Sequence, residues 1–163
     1  SMAAAIVLGT LPGMRFYHDG QLEGKSIRLP VQLAREPVEA HDPQVSLFYR
    51  RLLKVCNVDA LHAGRWELIE VCRAWDGNES HHNLLAWKWG FGTRQVIVAV
   101  NYSAGRSQAW LKPGAPSTST GGITLQDALT DAVYIREAEE LAGKGFYVDL
   151  GPYGAHVIHA ASY

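Results

Sequence analysis

The clearest periodic pattern in the chain predicts an amphipathic helix. Between residues 43 and 56, apolar side chains recur three and four positions apart and form one stripe, which consists of Val45, Phe48, Tyr49, Leu52, Leu53 and Cys56. Asp42 precedes the stripe as a suitable N-cap, and Pro43 fits the first turn of a helix. The pattern therefore predicts one main helix that begins at Pro43 and ends near Asn57.

After about residue 60 the pattern changes to short apolar runs separated by turn residues. Alternating and β-branched runs of this kind predict strands. The expected strands are Trp66 to Val71, Leu84 to Phe91, Gln95 to Tyr102, Ser107 to Leu111, Ile123 to Leu129, Ala132 to Arg136, Phe146 to Leu150 and Ala155 to His159. Their number and spacing predict an antiparallel sandwich or barrel. Of these we expect a Greek-key-like β-sandwich, so the expected fold class is α+β and mainly β.

One of these strands carries a row of large side chains. Alternation along the strand from residue 84 to residue 91 places Leu85, Trp87, Trp89 and Phe91 on one face. Because a strand of a sandwich usually buries one face, we expect Trp87 and the face that it shares with Leu85 to lie in the core of the sandwich.

Composition and charge narrow the function classes. The 163 residues carry a net charge of −1, so we expect neither a nucleic-acid partner nor a basic membrane anchor. No apolar run approaches the roughly 18 residues that span a bilayer. The chain has neither a phosphate-binding glycine loop nor a nucleophile-elbow sequence, and we expect no cofactor.

Cysteine and histidine are common metal ligands, but their spacing here predicts no metal site. Cys56 and Cys72 have no metal-ligand partner nearby, so we expect two reduced thiols in a cytoplasmic protein, with a disulfide as the open alternative. His81 and His82 are adjacent in a polar loop, without further ligands at a metal-binding interval.

Six segments form an ordered set, namely residues 9–21, 48–53, 83–89, 98–103, 125–130 and 148–157. In this order they resemble parts of the alpha-amylase family (glycoside hydrolase family 13). The first two resemble the last strand and last helix of its catalytic barrel. The other four resemble the first hairpin, an L-x-D-L-L-T strand and the closing turn of its C-terminal β domain. The sequence departs from the family pattern at Gly151, where proline is usual, and within residues 18–23.

The resemblance implies that residues 1–58 are a remnant of a (β/α)8 barrel and that residues 59–163 are a C-terminal β-sandwich domain. It implies no catalytic residue in this chain, because the family's catalytic carboxylates follow earlier barrel strands. The chain would then have a structural role in a glycosidase that acts on α-glucans or α-glucosides. Asp19, Gln21 and Glu23 would lie at the sugar-facing end of the last barrel strand and contact substrate in the parent enzyme.

Two tryptophans are candidate surface contacts for a sugar, because sugar rings stack on exposed aromatic side chains. Trp75 lies in a turn-rich loop, and Trp110 lies on an expected strand. These residues also fit an alternative reading of the chain. It could be a free-standing β-sandwich that binds a glycan or a protein, with the N-terminal part as a helical arm.

The N-terminal segment has an apolar surface that a complete barrel would cover. Ile6, Leu8, Met14 and Phe16 would each lose favourable burial if the neighbouring strands and helices were missing. We therefore expect residues 3–30 either to fold back on the sandwich and the main helix, or to pair with a second copy. The homodimer is the favoured arrangement.

Overall fold

The computed structural model describes residues 2–27, 32, 35, 37–114 and 121–162. The helices in this part are α1 (Met2–Thr10), α2 (Pro43–Cys56), α3 (Asp59–Ala63) and α4 (Ala138–Gly143), with a 3₁₀ helix at Ser80–Asn83. The strands are β1 (Arg65–Leu68), β2 (Glu70–Arg73), β3 (Leu84–Phe91), β4 (Arg94–Asn101), β5 (Ser107–Lys112), β6 (Gly122–Asp127), β7 (Val133–Glu137), β8 (Phe146–Leu150) and β9 (Ala155–Ser162). No helix in the described ranges is long and apolar enough to cross a membrane.

The strands form two antiparallel sheets. One sheet has the order β1-β3-β4-β9-β6-β7, and the other has the order β2-β5-β8. The predicted class, an α+β and mainly β chain built on an antiparallel sandwich, is confirmed. The main helix also begins and ends as predicted. Its first turn is capped by the Asp42 carboxylate, which accepts hydrogen bonds from the N–H groups of Gln44 and Val45 at 2.8 and 3.1 Å.

The single strand predicted from Trp66 to Val71 is wrong. β1 pairs with β3 in the six-stranded sheet, whereas β2 pairs with β5 in the three-stranded sheet. Between them lies Ile69, which is buried and donates its N–H to the carbonyl of Ala86 at 3.1 Å. The chain therefore changes sheets at Ile69, and a change of pairing partner leaves no trace in the alternation of side chains.

The core of the sandwich lies between the two sheets. Its largest fully buried side chains are Ile97, Leu111, Ile123, Leu125, Leu141, Val148 and Ile158. Gly145 allows the chain to enter β8 beside β5. A Cβ at this position would lie 2.1 Å from the carbonyl oxygen of Leu111, and φ is +90°. Close approach of the two backbones therefore requires glycine here.

The other face of the six-stranded sheet is covered by α1, α2 and α3. A second apolar cluster joins these helices to Trp87, Trp89, Val96, Val98, Val100 and Val157. The prediction that Trp87 lies in the sandwich core is therefore wrong, although Trp87 is buried. Its row faces the helices, and at the ends of that row Leu85 and Phe91 are exposed. The alternation separates the two faces of β3 but cannot say which one meets the second sheet.

Two indole groups bind the end of α1 to the sheet. The Nε1–H groups of Trp87 and Trp89 both donate to the backbone carbonyl of Thr10, at 3.2 and 2.7 Å. The last carbonyls of a helix have no partner within the helix. The two tryptophans therefore satisfy a buried polar group as well as filling the interface.

A third polar contact joins α1 to α2. The Cys56 thiol donates to the carbonyl of Gly9 at 3.0 Å, and a Cβ on Gly9 would lie 3.0 Å from the same sulfur. Burial raises the pKa of the Cys56 thiol, which keeps it protonated and unreactive. Both cysteines are free.

The described residues of the N-terminal segment fold back on the same chain. Residues 11–18 contain no strand, although the resemblance places the last barrel strand there. A strand requires a neighbour that supplies backbone partners, and no described strand pairs with this segment. The Arg15 guanidinium instead donates to the carbonyl of Leu61 at 3.2 Å. One of the two expected arrangements is therefore present within a single chain, and the homodimer stays a prediction.

Replacing both tryptophans that bind Thr10 should cost more than the sum of the single replacements. In W87F or W89F the Thr10 carbonyl keeps one donor, whereas in the double variant it has neither. We expect each single change to lower the free energy of unfolding by about 1–2 kcal/mol, and the double variant to lose about 1–3 kcal/mol beyond the sum. Equilibrium urea unfolding of the four proteins gives this coupling directly.

Trp66 provides the matched control. It packs against the same cluster, and its Nε1 is buried without a hydrogen-bond partner. W66F therefore removes a similar ring volume and no hydrogen bond, and it should cost less than W89F. Additive effects of W87F and W89F would contradict the shared role of the two indoles.

Candidate functional site

The outer face of the three-stranded sheet carries an aromatic surface. Alternate residues of β5 from Ser107 to Leu111 are buried in the core, so Trp110 faces outward. Alternation in β8 likewise turns Tyr147 outward. Strand pairing places Trp110 directly opposite Tyr147 on one side and Cys72 on the other. We call Trp110 and Tyr147 the aromatic platform.

The two rings of the platform are in contact. Their centroids lie 5.3 Å apart with an interplanar angle of 56°, and Tyr147 is 38 % exposed. The ammonium group of Lys144 lies 4.3 Å from the centroid of Trp110, within the range of a cation–π interaction. The platform is thus a half-buried apolar surface with a positive charge over one ring.

Hydrogen-bonding groups lie beside the platform on the same face. The Arg106 guanidinium donates to both carboxylate oxygens of Asp149, at 2.6 and 2.7 Å. The Gln108 amide donates to Asp149 at 3.3 Å, and the Asn78 amide donates to Gln108 at 3.4 Å. The hydrogen bonds from Arg106 hold the pKa of Asp149 below its ordinary value. An ionised, oriented carboxylate therefore lies two residues after Tyr147, at the next outward-facing position of β8.

Trp75 is the other candidate tryptophan and lies outside the platform. It is 53 % exposed, in the turn that follows β2, where the N–H of Asn78 donates to the Trp75 carbonyl at 3.1 Å. Cys72, the cross-strand neighbour of Trp110, lies three residues earlier in the chain. Both tryptophans are thus accessible near the three-stranded sheet, but only Trp110 has an aromatic neighbour among the described ring contacts.

The three residues expected to face a sugar in the parent enzyme lie in a compact loop before α2. Asp19 is exposed, while Gln21 and Glu23 are half-buried. The Gln21 amide donates to the Tyr49 hydroxyl at 2.7 Å, and the Glu23 carbonyl accepts the N–H of Asp42 at 2.8 Å. These contacts attach the loop to the first turns of α2.

A shallow cleft of about 400 Å³ opens beside Gln21, where Val45, Phe48 and Tyr49 of α2 form the apolar wall. This cleft lies in the helical layer, whereas the aromatic platform lies on the outer side of the three-stranded sheet. The six-stranded sheet separates them. The structure therefore places the two groups of candidate residues in different regions, and they do not form one site.

A buried carboxylate joins β6 to β9. Asp127 is fully buried and accepts hydrogen bonds from His156 Nδ1 at 2.8 Å, the Thr130 hydroxyl at 2.8 Å and the N–H of Leu129 at 3.1 Å. Burial alone would raise the pKa of Asp127, but these hydrogen bonds outweigh it and hold the pKa below its ordinary value. A general acid needs a raised pKa, so this aspartate is suited to a structural role.

Asn101 holds the turn before β9 in a similar way. Its fully buried amide donates to the carbonyls of Gly105, Leu150 and Gly151 at 2.6, 3.2 and 2.8 Å. Its side-chain oxygen accepts the hydroxyl of Ser103 at 2.8 Å. Asp127 and Asn101 both lie in segments on which the family resemblance rests, and their buried networks give a physical reason for those residue types.

Comparison with known proteins identifies the fold. No protein-family model and no curated protein sequence matches the chain. Among solved structures it is similar to a noncanonic maltogenic alpha-amylase from Thermotoga neapolitana, with a TM-score of 0.75 and 13 % identity over 99 % of this chain and 36 % of that one. An alpha-amylase from Geobacillus thermoleovorans, complexed with acarbose, gives a TM-score of 0.71 and 15 % identity over 99 % and 33 %.

AmyP in complex with maltotriose gives a TM-score of 0.67 and 16 % identity over 99 % of this chain and 34 % of that one. The chain therefore has the fold of part of an alpha-amylase-family enzyme, as the six segments predicted. It spans about one third of the length of these enzymes. That proportion is consistent with their C-terminal portion.

The Asp127 network should make stability depend on pH in acid. Because the pKa of Asp127 is lower in the folded chain than in the unfolded one, the unfolded state binds more protons below about pH 4. Stability is therefore lost as the pH falls through the folded-state pKa. We expect D127N to cost about 2–4 kcal/mol at pH 7 and to flatten this acid decline.

Asp131 is the control for this change. Its carboxylate is exposed and lies 3.6 Å from Arg51, so D131N should cost less than about 1 kcal/mol. Urea unfolding at pH 7 and at pH 3.5 measures both variants. A D127N protein that declined in acid as steeply as the wild type would show that Asp127 is not the responsible carboxylate.

Proposed function

We propose that this chain is the C-terminal part of an alpha-amylase-type glycosidase and has a structural role in it. The strongest support is that the structural match covers 99 % of this chain but only about one third of each similar enzyme. In this proposal residues 1–58 belong to the end of the catalytic barrel and residues 59–163 form the C-terminal domain. The catalytic centre lies outside the chain.

The six-stranded sheet is buried on both of its faces, and this supports the structural role. The helical layer and the sandwich share one sheet, so a barrel that contained α1 and α2 would be attached rigidly to the C-terminal domain. The exposed apolar side chains Leu8, Met14 and Phe16 lie on or after α1. In the parent enzyme, the rest of the barrel would cover this surface and gain the corresponding hydrophobic stabilisation.

The proposed substrates of the parent enzyme are α-glucans or α-glucosides. This follows from the similar enzymes, one of which is maltogenic and others of which were solved with acarbose or maltotriose. Asp19, Gln21 and Glu23 are proposed to contact the sugar there. The contact between Gln21 and Tyr49 would hold this loop in one position relative to α2. A cytoplasmic location agrees with two free cysteines and stays part of the proposal.

The aromatic platform supports a second candidate function, which is glycan binding by the sandwich itself. One apolar face of a sugar ring could stack on Trp110 and Tyr147, and Gln108 and Asp149 would bond its hydroxyl groups. Such a ring would first displace Lys144 from Trp110. Either a domain of a larger enzyme or a free-standing binding module could bind a glycan in this way.

The chain alone should not hydrolyse glycosides. In the proposed parent enzyme, the catalytic carboxylates follow earlier barrel strands, and these precede residues 1–58. A (β/α)8 site is built from the ends of several strands, which this chain does not supply. We expect no release of reducing sugar from soluble starch or maltotriose above a buffer blank. Turnover that copurified with the chain and persisted through several purification steps would contradict the proposal.

Removal of the platform should weaken binding to an α-glucan. Loss of one aromatic contact costs roughly 1 kcal/mol, so W110A and Y147A should each weaken binding several-fold in affinity electrophoresis through amylopectin. K144A should strengthen it, because the ammonium group no longer competes with the sugar for the Trp110 ring. F91A is the control, since Phe91 is an exposed aromatic residue at the end of β3, on the six-stranded sheet and outside the platform. Weakening by W75A alone would assign the contact to Trp75.

The isolated chain is proposed to form a homodimer through residues 3–30. The apolar cleft between α1 and the beginning of β3 would be the contact, and it is lined in part by Leu8, Met14, Leu85 and Tyr102. Charges at exposed positions test this without disturbing the buried face of α1, so we expect L8E/M14E to convert the dimer to a monomer in light scattering. V133E, at an exposed position on β7, should leave the mass unchanged. A monomeric wild type would exclude the dimer.

A further inference from the structure

The loop before β3 brings three metal-ligating side chains together. One ligand atom from each of Glu79, His81 and His82 lies within 4.8 Å of the other two. The centroids of the two imidazole rings are 3.9 Å apart, so the side chains of these two consecutive residues are in contact. The 3₁₀ helix Ser80–Asn83 produces this arrangement, and it also positions Glu79 at its N-terminal end.

The separation of two of these ligands agrees with ligation of one ion. His82 Nε2 lies 3.2 Å from Glu79 Oε2. Two ligands bound tetrahedrally at zinc distances of roughly 2.0–2.2 Å lie about 3.4 Å from each other. An ion could therefore replace the proton between His82 and Glu79 with little movement of either side chain.

The second imidazole has its tautomer fixed by the backbone. His81 Nδ1 lies 3.2 Å from the carbonyl oxygen of Asn78, which can only accept a hydrogen bond. A hydrogen bond here requires a proton on Nδ1, so in the neutral ring Nε2 is the nitrogen that can bind an ion. A hydrogen bond from the distal ring nitrogen to a carbonyl is a common feature of metal-binding histidines, because it orients the ring and raises its basicity.

The loop that carries the ligands is held firmly against the three-stranded sheet. The Asn78 side-chain oxygen accepts both the N–H and the hydroxyl of Ser80, at 2.9 and 2.6 Å. The Ser80 hydroxyl in turn accepts the N–H of Gln108 on β5 at 2.9 Å. Asn78 is itself buried. The site is thus supported by a strand rather than by a free loop, which favours a defined ligand geometry.

Charge around the cluster leaves one carboxylate oxygen available to an ion. Arg73 lies 3.2 Å from Glu79 Oε1, while Oε2 faces His82. Two imidazole nitrogens and one carboxylate oxygen suit zinc and neighbouring transition metals, whereas calcium and magnesium prefer sites made of oxygen ligands alone. Three protein ligands also leave a position for water.

We propose that Glu79, His81 and His82 form a binding site for one divalent transition-metal ion of the zinc class. The ion would join the 3₁₀ helix to the residues before it and rigidify the loop at the entrance to β3. The site stands apart from the proposed glycosidase role and does not depend on it. It also differs from the sequence prediction, because adjacent histidines become a ligand set only when the loop adds Glu79.

Titration calorimetry on the untagged chain, after treatment with a chelator, tests the site. We expect saturable binding of one Zn²⁺ per chain and no comparable heat with Ca²⁺ or Mg²⁺. H81A, H82A and E79Q should each weaken Zn²⁺ binding at least about ten-fold. All three positions are exposed or half-buried, so the variants should keep the circular dichroism spectrum of the wild type.

His62 supplies the matched control, because it is an exposed histidine on α3, away from the cluster. H62A should bind Zn²⁺ as tightly as the wild type. Equal weakening by H62A and H82A would mean nonspecific binding by surface histidines and would overturn the proposal. Absence of one-to-one Zn²⁺ binding by the wild type would overturn it as well.

Discussion

The convergence of Trp87 and Trp89 on the carbonyl of Thr10 is the contact on which the arrangement of the layers depends. A helix of nine residues is too short to be stable alone in water, so α1 requires tertiary contacts. The sheet provides them through two large side chains and two hydrogen bonds to one helix terminus. In return, α1 and its neighbours cover a sheet face that would otherwise expose the valines of β4 to solvent.

Burial of β4 on both faces has consequences across the molecule. Val96, Val98 and Val100 contact the helical layer, while Ile97 and Ala99 contact the sandwich core. A change on either side is therefore transmitted through a single strand to the other layer. This shared strand makes α1 and α2 a part of the same packed structure as the two sheets. It leaves the aromatic platform and the cluster at Glu79 on surfaces that the core packing does not use.

The sequence could predict those features that depend on neighbouring positions in the chain. The apolar stripe and the Asp42 cap located α2 to the residue, and alternation located β3 and β8. It could not show that the strand around Ile69 divides between two sheets, because pairing partners lie far away in sequence. It also suggested Trp110 without Tyr147 and Lys144, which reach the platform only when β8 pairs with β5.

By itself, the sequence determined the class of fold, because the periods of helix and strand are local properties of the chain. The six ordered segments added the likeness to the alpha-amylase family. Asp127 and Asn101 lie in two of these segments, and their buried hydrogen bonds explain why those residue types occur there. Only the tertiary structure decided which face of β3 meets helices, where Asp19 and Gln21 lie relative to the tryptophans, and how Glu79 joins two histidines. The first two outcomes depend on contacts between residues distant in sequence, whereas the third depends on the conformation of a short loop that Ser80 attaches to β5. In each case the geometry is fixed by packing rather than by local preference.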